Sequence, residues 1–240
     1  MNLILIDPAE LGEEGRVCLT DRRFEHIRSV HKANPGDTLR MGVLGGEVGV
    51  AQVLQMDDRQ VLLQMALDTL QKAPERLPVT LILALPRPKM MKRTLQTVAA
   101  MGVKHVWLIN SYRVDKSYWS TPLLQPEAIR EQLLLGLEQA GDTIMPEVHL
   151  RKRFKPFVED ELPAIAQNTR ALVAHPYHAQ PCPMAELTPT TLAVGPEGGF
   201  ITYEVEKLAE SGFQPISLGS RILRVETAIP VVLARLFPLQ

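Results

Sequence analysis

Apolar and polar positions follow two different rhythms along the 240-residue chain, and the change comes near residue 72. Upstream, short apolar pieces (Leu3–Ile6, Thr38–Val43, Val48–Val53, Val61–Met65) are separated by PGD at 35–37, LGGE at 44–47 and DDR at 57–59. Turn residues recurring about every eight to twelve positions predict a small β-barrel or sandwich. One helix interrupts it, about Asp21–His31, with Phe24, Ile27 and Val30 on one face. The stretch QKAPERLP at 71–78 carries two prolines and no periodicity, and it reads as a linker between a domain at 1–72 and another at 73–240.

Downstream the pattern becomes strand–helix alternation. VTLILAL at 79–85 is a continuous apolar run, as a parallel strand buried on both faces requires. A helix from about Met91 to Met101 follows, then a strand at Val103–Ile109. QPEAIREQLLLGLEQAG opens on proline and acids and stops at glycine, which marks a helix with Ile129, Leu133, Leu137 and Ala140 inward. Further strands are predicted at Glu147–Leu150, Ala171–Ala174, Thr191–Val194 and Gln214–Leu218, and helices at Glu161–Gln167 and Thr202–Ser211. Pro230 would break a helix begun at Ile222, so the last helix is predicted to start near Thr227 and leave GSRILRVE as a loop. The whole reads as an α/β domain with a mostly parallel sheet behind a smaller β domain.

Composition narrows the class. Apolar residues make up 45% and charged residues 22%, ordinary for a globular chain, so disordered and fibrous classes are excluded. No apolar run is long enough to span a bilayer, and the amino terminus carries no signal-peptide pattern. Two lone cysteines, Cys18 and Cys182, make no disulfide framework, and a cytoplasmic location is expected. The net charge of −1, from 26 basic and 27 acidic residues, excludes a polycationic nucleic-acid coat.

Two loops carry the candidate chemistry. GPEGGF at 195–200 follows a strand, and Thr202 can cap the helix after it. Such a loop lets backbone N–H groups approach a ligand at the carboxyl edge of a parallel sheet. Glu197 inside it disfavours a polyphosphate and tolerates a ligand with a cationic part. LGSRILRVETA at 218–228 also lies between strand and helix, with Arg221 and Arg224 set among apolar residues. Guanidinium groups so placed suit an anion beside a flat ring. His175, His178 and Cys182 lie in a proline-broken segment without a further ligand cluster, so no metal is expected. Of three basic clusters, Arg87, Lys89, Lys92 and Arg93 stand out: they open a helix, where cations oppose the dipole unless an anion is near. That placement suits a phosphate backbone. The others, around Arg22–Lys32 and Arg151–Lys155, fit solvated faces.

GPEGGF followed by LGSRILRVETA resembles the two carboxyl-terminal motifs of the RsmE family, 16S ribosomal RNA uridine-N3 methyltransferases of the SPOUT superfamily. LALPRPKMMKRTLQTVAAMGV, SYRVDK at 111–116, EQAGDTIMPEV at 138–148 and HIRSVHKANPGD at 26–37 extend the likeness over nearly the whole chain. The resemblance implies a PUA-like RNA-binding domain at 1–72 and a SPOUT domain at 73–240 with a carboxyl-terminal trefoil knot. It implies a homodimer acting on 16S ribosomal RNA or the small subunit. S-adenosylmethionine would be held by His175, Gly195, Pro196, Glu197, Gly198, Gly199, Leu218, Gly219, Ile222, Leu223 and Arg224. RNA would meet Arg28, Lys32, Lys89, Lys92, Arg93 and Arg113. Arg224 and Arg221 would stabilise charge on the uracil carbonyls, and Glu226 would accept a proton or orient Arg224.

The chain departs from the family pattern at Thr97, Ala100, Asp142 and Ile144, where relatives carry charged residues. These departures lie on the expected RNA side, whereas the cofactor loops are intact. Two alternatives follow: a methyltransferase for a different RNA, and a catalytically silent RNA- or ribosome-binding paralogue.

Overall fold

The computed structural model describes residues 2–238, apart from the side chain of Lys104. The chain divides into two compact units, one of 1–75 with 134–145 and one of 76–133 with 146–240.

The first unit is a curled five-stranded sheet in the order β1 (Ile4–Ile6), β3 (Thr38–Val43), β4 (Val48–Met56), β5 (Val61–Gln71), β2 (Arg16–Leu19). Only the β1–β3 pair is parallel. Period-two alternation sets the core: Val17 and Leu19 are buried between exposed Arg16 and Cys18, and Val61, Leu63 and Met65 do the same on β5. The Asp57 carboxylate accepts hydrogen bonds from the backbone of Arg59 (2.7 Å) and Gln60 (2.9 Å), which turns β4 into β5.

Helix α1 (Arg22–His26) closes this unit and buries Phe24 and Ile27, but Val30 is 63% exposed rather than inward. The chain widens into a π turn over Ile27–His31, and the extra residue in that turn rotates Val30 away from the face that Phe24 and Ile27 share. The linear cut at 72 also misses a segment. Residues 134–145 belong here because the Glu138 carbonyl accepts from the backbone of Asn2 and Leu3 (both 3.0 Å), while its buried carboxylate takes both ends of the Arg22 guanidinium (2.6 and 2.9 Å). Pairings so distant in sequence leave no local signal.

The second unit is a seven-stranded, all-parallel sheet. Its order is β10 (Gln180–Pro181), β12 (Gln214–Ser217), β9 (Arg170–Ala174), β11 (Thr190–Val194), β6 (Leu77–Ala84), β7 (Val103–Ile109), β8 (Glu147–Arg151). The central β11 is buried at every residue and β6 from Leu81 onward, as their unbroken apolar runs require. Helix α2 (Pro88–Ala100) starts three residues before the predicted Met91, with Pro88 in the first turn, where its missing N–H costs nothing. Helix α3 (Pro126–Ala140) follows the predicted span.

Three further elements differ from expectation. The helix expected over Glu161–Gln167 is a series of short turns, α4 (Phe154–Pro156), a π turn at Phe157–Glu161 and α5 (Leu162–Ile165), punctuated by Pro156 and Pro163. Helix α6 (Thr202–Glu210) is capped at Ile201, not by the Thr202 hydroxyl; the Glu204 carboxylate reaches back to the Ile201 N–H (3.0 Å). Helix α7 (Val225–Leu236) begins two residues before Thr227, so Pro230 lies inside it. The apolar face of Val225, Ile229, Val232, Leu233 and Leu236 is buried and α7 packs against α2; that burial outweighs the bond lost at the proline.

Candidate functional site

Strands β12, β9 and β11 are neighbours whose carboxyl ends lie level: Ala174 pairs with Val194 on one side and Ile216 on the other. Each strand releases its chain into a loop at the same edge, at 175–179, 195–201 and 218–224. Together the loops wall a cavity of about 300 Å³. Its floor includes the strand ends Val194 and Ile216 and the helical Val225 and Val232. Apolar floor with polar loop backbone at the rim is the usual build of a small-molecule site, at the sheet edge where open α/β folds bind ligands.

Local chemistry explains the loops. A Cβ on Gly195 would stand 2.9 Å from the backbone nitrogen of Phe200, so only glycine lets the loop fold back on itself. At Gly198 a Cβ would meet the Arg113 side chain at 2.8 Å; the Arg113 guanidinium donates to the Gly198 carbonyl. Gly199 takes a positive φ of 72° and donates to the Pro196 carbonyl (2.7 Å), closing the turn. In the other loop, the Ser217 hydroxyl accepts from the Gly219 N–H (3.1 Å) and turns the chain away from β12.

Two carboxylates, one inside the glycine loop and one in the helix after it, fix that loop. Glu197 accepts from the backbone N–H (3.2 Å) and the Nε (3.1 Å) of Arg87, the residue that caps α2. The anion called for by the cations of α2 is therefore, at the helix start, Glu197 itself. Glu204 is almost wholly buried, and its two oxygens accept from the backbone of Tyr112 (2.7 Å) and Ile201 (3.0 Å). It ties the 110–113 segment to the glycine loop. Sequence reasoning missed it; an acid in the first turn after a glycine loop is the signal that was there.

All the residues expected to hold a cofactor line the cavity except Arg224. Of the three expected to act on substrate, Arg221 lines it; Arg224 is exposed at the cap of α7, and the half-buried Glu226 lies in that helix's first turn. Burial, with His178 adding to it, lowers the pKa of His175, so that cavity imidazole is neutral at neutral pH. Arg113 lines the rim, while Lys89, Lys92 and Arg93 are exposed along α2. Arg28 and Lys32 belong to the first unit, where Arg28 pairs with Glu25 (2.9 Å) and covers the Phe24 ring. His178 stays exposed and Cys182 is buried with its thiol pKa pushed up by that burial. Among the described residues, the group with metal-ligating geometry is elsewhere, at His105, Glu147 and His149.

The domain model of the RNA methyltransferase family matches residues 73–237, more than half of the chain. The chain belongs to the RNA methyltransferase family. Curated relatives agree with the RsmE resemblance. Ribosomal RNA small subunit methyltransferase E of Treponema pallidum is 26% identical over 234 residues, covering 95% of this chain and 87% of that one. Methyltransferase E 1 of Borreliella burgdorferi is 24% identical, covering 95% and 94%. Among solved structures, a methyltransferase of Legionella pneumophila with bound cofactor SAM has a TM-score of 0.75 at 23% identity, covering 97% and 95%. The methyltransferase E of Neisseria gonorrhoeae bound to S-adenosyl methionine has a TM-score of 0.75 at 21% identity, covering 98% and 95%. The expected architecture, a parallel α/β domain with a smaller β domain, is the fold of these proteins. No helix among the described residues is long and apolar enough to cross a membrane.

Proposed function

We propose that this chain methylates N3 of a uridine in 16S ribosomal RNA with S-adenosylmethionine as methyl donor. One observation carries the reading: both motif loops close a single cavity over the level ends of β9, β11 and β12. The residues fit the donor. Gly195 and Gly199 bring bare backbone to the rim, the apolar floor suits a purine ring, and Glu197 tolerates a sulfonium charge nearby. The donor, when bound, supplies an electrophilic methyl group.

The chain's own residues must then make uracil N3 nucleophilic. N3 carries a proton, and its loss places negative charge on the flanking carbonyls. Arg221 at the cavity and Arg224 beside it at the α7 cap are the cations placed to stabilise that charge. Glu226 serves as proton acceptor, directly or through water, or orients Arg224. Lys89, Lys92 and Arg93 hold the phosphate backbone, and the β-rich unit, with Arg28 and Lys32, is a PUA-like RNA-binding domain.

Further readings rest on the same site. Ile222 lines the cavity yet is 74% exposed, which supports a homodimer whose second copy covers it. Strand β12 lies between β9 and β10, although residues 175–179 join those two directly; this supports a closing segment threaded as a trefoil knot. A cytoplasmic setting follows from the substrate.

Mass spectrometry of 16S ribosomal RNA from a deletion strain tests the proposal, with loss of one N3-methyluridine expected. Calorimetry with S-adenosylmethionine tests the cofactor separately: no binding at millimolar ligand leaves the silent RNA-binding reading in its place. Arg224→Ala is expected to abolish transfer with the fold and cofactor binding retained. Near-normal turnover would remove Arg224 from the mechanism.

A further inference from the structure

The face of the sheet at its β7–β8 edge carries a second cluster, made by register alone. His105 on β7 stands opposite Glu147 on β8, and Trp107 stands opposite His149. Because residues two apart share a face, His105, Glu147 and His149 converge on one side of the pair. Glu147 Oε2 lies 3.3 Å from His105 Nδ1 and 3.8 Å from His149 Nε2, and the three ligand atoms are all within 4.8 Å of one another. Metal–ligand bonds of about 2.0–2.2 Å in a tetrahedral site place ligand atoms roughly 3.3 Å apart. Small side-chain rotations close that gap.

We propose that His105, Glu147 and His149 bind a divalent transition metal ion of the zinc class. Two imidazoles and one carboxylate are the ligand chemistry that such ions prefer, whereas calcium and magnesium favour all-oxygen sets. The ligands are already ordered. The His149 ring stacks on Trp107 at 4.2 Å with 25° between planes. Arg151 covers the same indole at 4.6 Å and is itself held by both oxygens of Glu161 (2.8 Å each). A ligand ring packed in this way gives up little freedom on coordination. Both histidines are about two-thirds buried, so the ion would be partly shielded, with its remaining position open to water.

The role is structural. Among the described residues β8 is the edge strand and pairs only with β7, so one ion would bind the last two strands of the sheet together. His105 on β7 is two strand spacings, about 10 Å, from β11, the nearest strand of the methyl-transfer cavity, and β8 is one spacing further. The proposal does not depend on the methyltransferase reading.

Zinc titration of the full chain against a chromophoric chelator tests it, with thermal unfolding as a second readout. One equivalent is expected to bind and to raise the unfolding temperature. Glu147→Gln and His149→Ala are each expected to weaken binding by about tenfold or more and to abolish the zinc-induced shift. Exposed His178 is the control: His178→Ala should change neither. Since His149→Ala also removes a ring from Trp107, Glu147→Gln, whose carboxylate is largely exposed, is the deciding variant, with circular dichroism confirming its fold. Failure of the wild type to bind zinc overturns the proposal, and so does equal affinity in the wild type and Glu147→Gln.

Discussion

Glu204 shows how one side chain can decide the shape of a binding edge from outside it. Its carboxylate satisfies two backbone N–H groups, one on Tyr112, 92 positions before it, and one at its own helix start. A glutamine there offers one acceptor and turns an amide donor on the other N–H. Glu204→Gln should therefore cost about 1–3 kcal/mol in a denaturant titration and weaken S-adenosylmethionine binding by calorimetry. Gly195→Ala forces backbone apart at the same loop, and a loss of about tenfold or more in cofactor affinity, roughly 1.4 kcal/mol, is expected. Charge pairing elsewhere sets a pH dependence. Hydrogen bonds from Arg23 hold the Glu10 carboxyl below the usual carboxylate range, against an opposing effect of burial. A depressed carboxylate stabilises the fold above its unfolded pKa, about 4.3, and loses that contribution as pH falls through the folded value. The stability gap between wild type and Glu10→Gln should thus be largest at neutral pH and vanish in strong acid, as urea midpoints across pH would show. The glycine positions were legible in the sequence, since tight turns demand that residue. The pairing of Glu197 with Arg87 and of Glu204 with Tyr112 was not, because these partners lie 110 and 92 positions away and no local pattern announces them.

Helices and strands were legible wherever local chemistry and tertiary packing agreed. The unbroken apolar runs of β6 and β11 lie at the centre of the sheet, and α3 ends at the glycine that marks it. Legibility ended where an element departs from ideal geometry. A π turn has no periodic signature, and it carried Val30 outward. β10, two residues long and half proline, is a strand only because β12 lies beside it. Pro230 is the sharpest case, since helix rules moved the start of α7 to Thr227 while packing begins it at Val225. The proline then forfeits a hydrogen bond to the Glu226 carbonyl, four residues back, within the turn that follows the Arg224 cap. Pro230→Ala should restore that bond and raise stability by on the order of 1 kcal/mol or more, read from thermal unfolding. The restored bond ends on the Glu226 carbonyl, so the same variant is expected to lower the methylation rate while leaving cofactor affinity unchanged.

Taken whole, the molecule has a net charge of −1, yet it presents Lys89, Lys92 and Arg93 along the exposed face of α2. A protein so balanced grips RNA locally. Neutralising these three residues should lower RNA affinity and reduce the salt slope of binding by about one for each phosphate that is no longer paired with a cation. S-adenosylmethionine affinity, measured in parallel, should not move. The sequence changes rhythm near residue 72, but no local pattern marks the return of 134–145 to the first unit. That return has a consequence for synthesis. The Arg22 guanidinium and the backbone of Asn2 and Leu3 wait for Glu138. The amino-terminal unit, although made first, cannot complete its packing on the ribosome until residue 145 has left the exit tunnel. Most of the chain must therefore be translated before its beginning is finished.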